Sequence, residues 1–267
     1  MKQTLLLLTM MAFTLTGCTK QKVLVLYYSQ TGTTQTLAEE LQKQLGADIE
    51  RIEAAVPYDG DFQATIERSG RERESGELPE LNPIKANLAD YDVIFIGYPI
   101  WFGTYAMPIA TLVKENDFAG KTIVPFCTFG SGGLGSSTEA LKEALPKANV
   151  LQGYGVRQAR IEAAPKELER FLIENGFKKG DVAPLPDYSE QVPVTEEDSL
   201  IFNAACAGYQ FPLGTPVTVG KRQTEGSTDY KFTAKSRGFD GQEGTSTIFI
   251  TVANEEGAKP EFTEVVR

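Results

Sequence analysis

The sequence of 267 residues contains no histidine. This absence excludes Ser-His-Asp and Cys-His nucleophilic catalysis, and it excludes metal sites that depend on imidazole. Only three cysteines are present, and no Cys-x-x-Cys redox or metal motif is formed. The two beyond the N-terminal stretch, Cys127 and Cys206, are expected to be buried as small apolar residues. Chemistry must therefore come from carboxylates, hydroxyls or a bound cofactor.

Positive charge is also scarce, because 26 lysines and arginines face 36 acidic residues, giving a formal net charge of −10. This balance argues against nucleic acid and anionic lipid surfaces as partners, since both need a basic face. It is compatible with docking to a basic redox partner. The length predicts one large or two modest domains, and a hydrophobic share of 41% is sufficient for a packed core.

Residues 1–17 have the pattern of a secretion signal, with an apolar stretch (Leu5–Leu15) that is too short to span a bilayer. The sequence Leu15-Thr16-Gly17-Cys18 resembles the bacterial lipobox. That resemblance implies that Cys18 is acylated and that the mature protein is held on the cell envelope by this lipid anchor alone. Thr19 favours the outer membrane over the inner one. An ordinary signal peptide with an incidental cysteine is the alternative.

The stretch Val23–Leu45 combines a strand, a hydroxyl-rich loop and a helix. Val23–Tyr28 is a continuous apolar run, which is typical of a strand buried on both faces. Ser29-Gln30-Thr31-Gly32-Thr33-Thr34 follows, and then leucines recur at every fourth position as on an amphipathic helix. Backbone N–H groups and the helix dipole make such a helix N-terminus an anion site. The Gly-Lys-Ser/Thr ending of a nucleoside triphosphate loop is absent, so a single phosphate monoester fits better.

Within this loop, Ser29, Thr31, Gly32 and Thr34 match the Thr/Ser-x-Thr-Gly-x-Thr pattern of flavodoxins. The chain resembles that family here, and the resemblance implies that the loop binds the phosphate of FMN. The candidate phosphate ligands are Ser29, Gln30, Thr31, Gly32, Thr33 and Thr34. The alternative is a threonine-rich turn that binds nothing.

Further strands alternate with helices along the chain, which predicts an α/β fold with an open parallel sheet wound on both sides. The predicted strands are Ala47–Ile52, Asp92–Tyr98, Thr122–Phe129 and Asn149–Val156, and the predicted helices are Ala106–Asn116, Ser136–Leu145 (with a Ser136/Glu139 capping box) and Pro165–Asn175. The resemblance to flavodoxins covers about Lys22 to Gly180, and residues 18–180 are predicted to form one flavodoxin-like domain. It implies five strands in the order 2-1-3-4-5, with ligand at the switch point between the first and third strands. The charged stretch between residues 59 and 76, with Arg68, Arg71 and Arg73, is interpreted as a partly helical, solvated face. A guanidinium near the flavin is the alternative.

Two loops at strand ends are candidates for holding a flavin ring. Pro99-Ile100-Trp101-Phe102-Gly103 follows the third strand, and flavodoxin-like proteins place an aromatic side chain over one ring face at this point. Trp101 is the first candidate for that role. Phe102 and Tyr105 are possible second walls, although core packing is the favoured interpretation of Phe102.

The second candidate loop is Thr128-Phe129-Gly130-Ser131-Gly132-Gly133. Together with Gly135 it matches the dinucleotide fingerprint Gly-x-Gly-x-x-Gly, but that fingerprint belongs on a first strand and needs an acid at the end of the next one. The next strand here ends at Arg157. We therefore favour glycines that let the backbone approach a flat ligand, as in flavodoxins, where this loop contacts the flavin edge. The loop lacks the acidic run and tyrosine common in flavodoxins, so the ring face opposite Trp101 is expected to be open to hydride donors or quinones.

The C-terminal part predicts a second, smaller domain. After a linker over residues 181–194, a helix over Thr195–Ala207 begins with a Thr195/Asp198 capping box. Four strand-like runs follow, at Thr215–Gln223, Thr228–Ser236, Thr245–Ala253 and Glu261–Val266. Residues 195–267 are therefore predicted to form a small α+β domain with one helix on an antiparallel sheet. The run Gln223–Phe232 weakly resembles the first hairpin of cystatins, and an accessory or docking role is expected.

These features predict an FMN-binding, flavodoxin-like electron-transfer protein of the cell envelope. Its partner would be a redox protein or a quinone. An FMN-dependent NAD(P)H:quinone or flavin reductase is the first alternative, disfavoured mildly because no second domain has the pattern of a nicotinamide-binding unit. A binding module that has lost its flavin is the second alternative.

Overall fold

The computed structural model describes residues 21–59, 61–237 and 243–266. The predicted signal peptide and the predicted lipidation site Cys18 lie outside these residues. Across the described ranges, no helix combines the length and the apolar character that a bilayer span requires.

The larger domain is built on a parallel sheet. Its strands are β1 (Val23–Tyr27), β2 (Asp48–Arg51), β3 (Val93–Trp101), β4 (Thr104–Tyr105), β5 (Thr122–Phe129), β6 (Asn149–Val150) and β7 (Tyr154–Arg157). The order is β2-β1-β3-β5, and both β6 and β7 pair with the far side of β5. Short β4 pairs antiparallel with the end of β3. Because β6 and β7 together take the fifth place, the predicted order 2-1-3-4-5 is confirmed.

The predicted single strand over Asn149–Val156 is wrong, because the structure divides it into β6 and β7. The break falls beside Pro125 of β5, which lies between the residues that pair with β6 and those that pair with β7. Proline has no N–H to donate to a ladder. Gly153 also passes so close to the Pro125 carbonyl that a Cβ there would lie 2.7 Å from its oxygen. The fifth strand therefore bends around this point.

Helices cover both faces of the sheet, as a doubly wound fold requires. They are α1 (Thr33–Leu45), α2 (Phe62–Ser75), α3 (Met107–Glu115), α4 (Ser137–Ala144) and α5 (Ala164–Glu174). On one face, Leu37 of α1 and Leu168 of α5 share a buried cluster with Val25 of β1. On the other face, Leu112 of α3 and Leu141 of α4 share a cluster with the central strand β3. The sheet core is therefore buried on both sides.

The predicted capping box at the start of α4 does not form, since Ser136 makes no side-chain cap. Instead the Ser136 hydroxyl and backbone N–H both donate to the Gly103 carbonyl, at 3.1 and 2.9 Å. The serine therefore ties the start of α4 to the turn after β3.

The C-terminal domain is a second, antiparallel sheet with one helix. Its elements are β8 (Val192–Pro193), α6 (Glu196–Cys206), β9 (Thr215–Gln223), β10 (Ser227–Arg237), β11 (Glu243–Ala253) and β12 (Glu261–Val266). The strand order is β12-β11-β10-β9-β8, and Phe202 of α6 packs on Phe232 of β10. The predicted helix, its Thr195/Asp198 capping box and the four strands are confirmed. The predicted linker, however, contributes the edge strand β8.

The two cysteines differ in burial. Cys127 of β5 is buried, as expected, whereas Cys206 at the end of α6 is only partly buried, so that expectation is wrong. Burial raises the pKa of the Cys206 thiol to about 11, and the thiol is therefore protonated at neutral pH.

Candidate functional site

The loop between β1 and α1 presents unpaired backbone donors. Gly32 caps α1 in the left-handed region, with a φ of 91°. The N–H groups of Gly32 and Gln35 both donate to the Ser29 hydroxyl, each at 3.2 Å. The N–H groups of Thr31, Thr33 and Thr34 have no acceptor in the described part of the chain. These three donors lie at the positive end of the helix dipole, which makes the loop suitable for an anion.

The loop hydroxyls are arranged so that protons remain available. Because the Ser29 oxygen already accepts two N–H groups, its remaining capacity is its own O–H, a donor. The Thr34 hydroxyl lies 2.8 Å from that of Thr128, and both side chains are buried. One of them donates to the other, so the pair keeps one proton to donate elsewhere. The Thr31 and Thr33 hydroxyls lie on the accessible side, 3.5 Å apart.

Gln30 and Arg51 flank this loop in ways that the sequence did not predict. The Gln30 side chain accepts from the Tyr28 hydroxyl at 2.6 Å and donates to the Tyr58 carbonyl, so it is turned toward the aromatic side of the site. Arg51 ends β2 and donates to the Ser29 carbonyl at 3.0 Å. Its guanidinium therefore adds positive charge next to the start of this loop.

The two aromatic residues after β3 have different environments. Trp101 is half-buried, and its ring meets Tyr28 and Tyr58 edge-on, with centroids 5.7 and 5.1 Å apart. Phe102 is 44% exposed and has a φ of 50°, in the left-handed region that few side chains adopt. The favoured core packing of Phe102 is therefore wrong. Backbone strain of this kind persists where the surroundings impose it, often at functional sites.

Helix α2 contributes more than the predicted solvated face. Arg68 forms an ion pair with Glu72, with Nε 2.8 Å from Oε1, and its guanidinium lies 3.8 Å from the centroid of the Tyr58 ring. Arg73 lies over the ring of Phe102, 5.6 Å from its centroid. The solvated-face interpretation is therefore wrong for Arg68, which is only partly exposed, whereas Arg73 is exposed as expected.

The glycine-rich loop after β5 has an open half and a closed half. A Cβ at Gly130 or Gly132 would meet nothing within 4 Å, so open space borders this part of the loop. A Cβ at Gly135, by contrast, would lie 2.3 Å from the Gly103 carbonyl oxygen. The closed half therefore contacts the turn after β3, while the open half leaves room for a flat ligand.

The three predicted binding loops meet at one edge of the sheet. They follow β1, β3 and β5, which are adjacent and parallel, so their carboxyl ends lie side by side. Pro99 is in register with Thr128, and Ile100 pairs with Tyr105 of β4. The Thr34–Thr128 hydrogen bond joins the first loop to the third, and the Ser136–Gly103 bonds join the third to the second. This is the switch point of a doubly wound sheet, where such folds bind their ligands.

The C-terminal domain also reaches this site. The Val265 N–H donates to the Ser131 carbonyl at 2.9 Å, and the Tyr209 hydroxyl donates to the Ser131 hydroxyl at 2.6 Å. The Glu264 carboxylate lies against Gly133, where a Cβ would be 1.9 Å from its Oε1. No pattern in the sequence indicated these contacts, because they join parts of the chain that are far apart.

Fold and loop geometry together define a doubly wound protein whose switch point carries a loop with unpaired backbone donors. A family model described as flavodoxin matches residues 22–169, more than half of the chain. The chain therefore belongs to the flavodoxin family.

Two curated relatives and a solved structure are also similar to part of the chain. "NAD(P)H dehydrogenase (quinone) 3" of Rhizobium meliloti is 34% identical over 122 residues, covering 41% of this chain and 54% of the relative. "NAD(P)H dehydrogenase (quinone)" of Gluconacetobacter diazotrophicus is 35% identical over 100 residues, covering 36% and 46%. The chain thus spans about half the length of these curated relatives. A crystal structure of a provisionally named flavoprotein from Bacteroides uniformis is 32% identical, with a TM-score of 0.51, covering 57% of this chain and 99% of that one.

Glu264 yields a prediction about stability and pH. Burial raises the pKa of its carboxyl group above the usual range, so the folded state holds this proton more tightly than the unfolded state does. The protonated Glu264 carboxyl group therefore makes its full contribution to stability below its pKa in the unfolded state. That contribution is lost as the pH rises through its pKa in the folded state. We expect Glu264→Gln, without added flavin, to raise the thermal unfolding midpoint at pH 8 and to lose this advantage at pH 4.

The control is Glu256→Gln, which removes an exposed carboxylate from the same domain. It should leave the midpoint unchanged at both pH values. An unchanged midpoint for Glu264→Gln at pH 8 would contradict the burial of its charge.

Proposed function

We propose that this protein is an FMN-binding electron-transfer flavodoxin. The observation that carries the proposal is the set of unpaired N–H groups of Thr31, Thr33 and Thr34 at the N-terminus of α1, beside the free proton of Ser29. These donors are neutral and lie together in one loop, and such a set of donors fits a phosphate monoester. Arg51 supplies a nearby positive charge.

The other two loops fit the ring end of the same cofactor. The open space beside Gly130 and Gly132 would admit a flat ring close to the backbone. Trp101 and its tyrosine neighbours would provide an aromatic wall, with exposed Phe102 at the rim. When bound, FMN supplies one- or two-electron transfer, and the chain supplies its position and electrostatic surroundings. The family membership and the flavoprotein name of the Bacteroides uniformis protein support this assignment.

A flavin-dependent NAD(P)H:quinone reductase is the second candidate. It is favoured by the names of the two curated relatives, although only about half of each is matched. The open half of the glycine-rich loop and the exposed ring of Phe102 are compatible with a second planar molecule approaching the flavin.

We further propose that the protein is anchored to the cell envelope through Cys18. The lipobox-like sequence supports this location. Strand β1 starts at Val23, a few residues after Cys18, and the phosphate loop lies at its other end. The flavin site would therefore point away from the membrane, toward a partner that docks from solution.

The anchor is tested by fractionating bacterial cells that express the full chain. The unaltered protein is expected in the membrane fraction, and Cys18→Ser is expected to be released from it. Mass spectrometry should detect an acylated Cys18 as the first residue. Recovery of the unaltered protein without a lipid would contradict the anchor.

The FMN site is tested by titrating the protein with FMN and following the fluorescence of Trp101, the only tryptophan. We expect saturable quenching by FMN and much weaker quenching by riboflavin, which lacks the phosphate. Ser29→Ala removes the acceptor of two loop N–H groups and one outward donor. Losing such hydrogen bonds costs about 1–2 kcal/mol, so FMN affinity should fall about tenfold.

The matched control is Ser199→Ala in α6, where the hydroxyl donates to a backbone carbonyl far along the chain from the phosphate loop. Its FMN affinity should equal that of the unaltered protein. Equal affinity for FMN and riboflavin would contradict a phosphate site in this loop.

The two candidate functions, electron carrier and reductase, are distinguished by mixing the FMN-loaded protein with NADH or NADPH without oxygen. An electron carrier should keep its flavin absorbance near 450 nm for minutes, whereas a reductase should lose it within the mixing time and regain it when a quinone is added. Rapid loss followed by quinone-dependent recovery would favour the second candidate over the first.

A further inference from the structure

The C-terminal domain contacts the one loop that is predicted to hold the flavin edge. Two of its hydrogen bonds end on Ser131, from the backbone N–H of Val265 in β12 and from the hydroxyl of Tyr209 after α6. Ser131 lies between Gly130 and Gly132, which border open space. Two residues outside the flavodoxin domain therefore bond to this part of the loop.

Arg157 at the end of β7 joins the loop and the C-terminal domain. Its Nε donates to the Gly130 carbonyl at 2.7 Å, and its Nη1 donates to the Phe262 carbonyl at 3.2 Å. The guanidinium lies 4.5 Å from the centroid of the Phe262 ring. The guanidinium thus bonds to a carbonyl of the glycine-rich loop and to a carbonyl of the C-terminal domain. This geometry suits the rigid fork of arginine better than the single ammonium of lysine.

Glu264 is the third contact and has no evident structural purpose. Its carboxylate lies against Gly133 and is partly buried, yet it has no hydrogen bond or ion pair within the described residues. An ionised group in such a position destabilises the fold. Features that reduce stability without compensation are commonly found where function requires them.

We propose that the C-terminal domain completes the flavin site. Tyr209 positions the glycine-rich loop through Ser131, and Glu264 places a negative charge beside that loop. This inference rests on the proposed function. It gives the small domain a role in setting the affinity for the ring and the reduction potential of the flavin.

This proposal has two consequences, one for the glycine-rich loop and one for the charge of Glu264. Disturbing the C-terminal contacts should weaken binding of the ring but leave binding of the phosphate unchanged. Removing the Glu264 charge should make the bound flavin easier to reduce, since a nearby negative charge opposes the uptake of electrons. Both effects can be measured without any assay of enzymatic turnover.

The first experiment compares Tyr209→Phe, Ser131→Ala and the double variant in the full chain. Tyr209→Phe removes only the hydroxyl that donates to Ser131, so we expect about a fivefold weaker affinity for FMN. The inhibition constant of inorganic phosphate as a competitor of FMN should not change. If the two side chains act through one contact, the double variant should bind FMN no more weakly than whichever single variant has the lower affinity for FMN.

Tyr230→Phe is the matched control, because it makes the same chemical change in β10 of the same domain. Hydrogen–deuterium exchange without FMN adds a second readout, in which residues 129–135 should exchange faster in Tyr209→Phe than in Tyr230→Phe. A general loss of folding would accelerate exchange throughout the chain and is thereby distinguished.

The second experiment measures the reduction potential of bound flavin at pH 8 in Glu264→Gln and in Glu256→Gln. We expect an upward shift in the first and none in the second, because Glu256 is exposed in the turn before β12. Equal potentials in the two variants would overturn the role of Glu264.

The outcomes separate this inference from the proposed function. If the unaltered protein does not bind FMN, the proposed function fails and the inference fails with it. If the unaltered protein binds FMN, and Tyr209→Phe and Glu264→Gln match it in affinity, loop exchange and potential, the inference alone is overturned.

Discussion

Parallel pairing of β1, β3 and β5 is the constraint on which the candidate site depends. These strands are continuous apolar runs that must be buried on both faces, so they occupy the centre of the sheet and end together. Their shared direction brings three loops from distant parts of the sequence to one edge. The buried hydrogen bond between Thr34 and Thr128 then joins the first of these loops to the third.

Much of this arrangement was predictable because its signals are local. The apolar runs gave the strands, leucines at helical spacing gave α1, and Ser29 to Thr34 identified the loop and the family resemblance. The capping box at Thr195 was also local and was confirmed. Errors arose where a tertiary contact overrode the local pattern. Ser136 bonds to Gly103 in place of Glu139, and Pro125 interrupts the pairing of the fifth strand.

The aromatic side of the site shows the same limit. The sequence favoured core packing for Phe102, but its ring is exposed and lies against α2, near Gly70 and Arg73. Arg68 had the pattern of a solvated charge, yet its guanidinium packs on the ring of Tyr58. The contacts of Tyr209 and Glu264 with the glycine-rich loop were equally invisible, since no local pattern records contact between two domains. In this protein the second domain contacts the glycine-rich loop of the flavodoxin domain.

The central claim is that unpaired N–H groups at the start of α1 bind the phosphate of FMN, and amide NMR of the isotopically labelled protein tests it most directly. Addition of FMN should shift the amide resonances of Thr31, Thr33 and Thr34, and addition of inorganic phosphate should shift the same three at higher concentration. Riboflavin should leave these three resonances nearly unchanged while shifting amide resonances of the glycine-rich loop. If FMN binds and these three amides do not respond, the phosphate lies elsewhere and the account is contradicted.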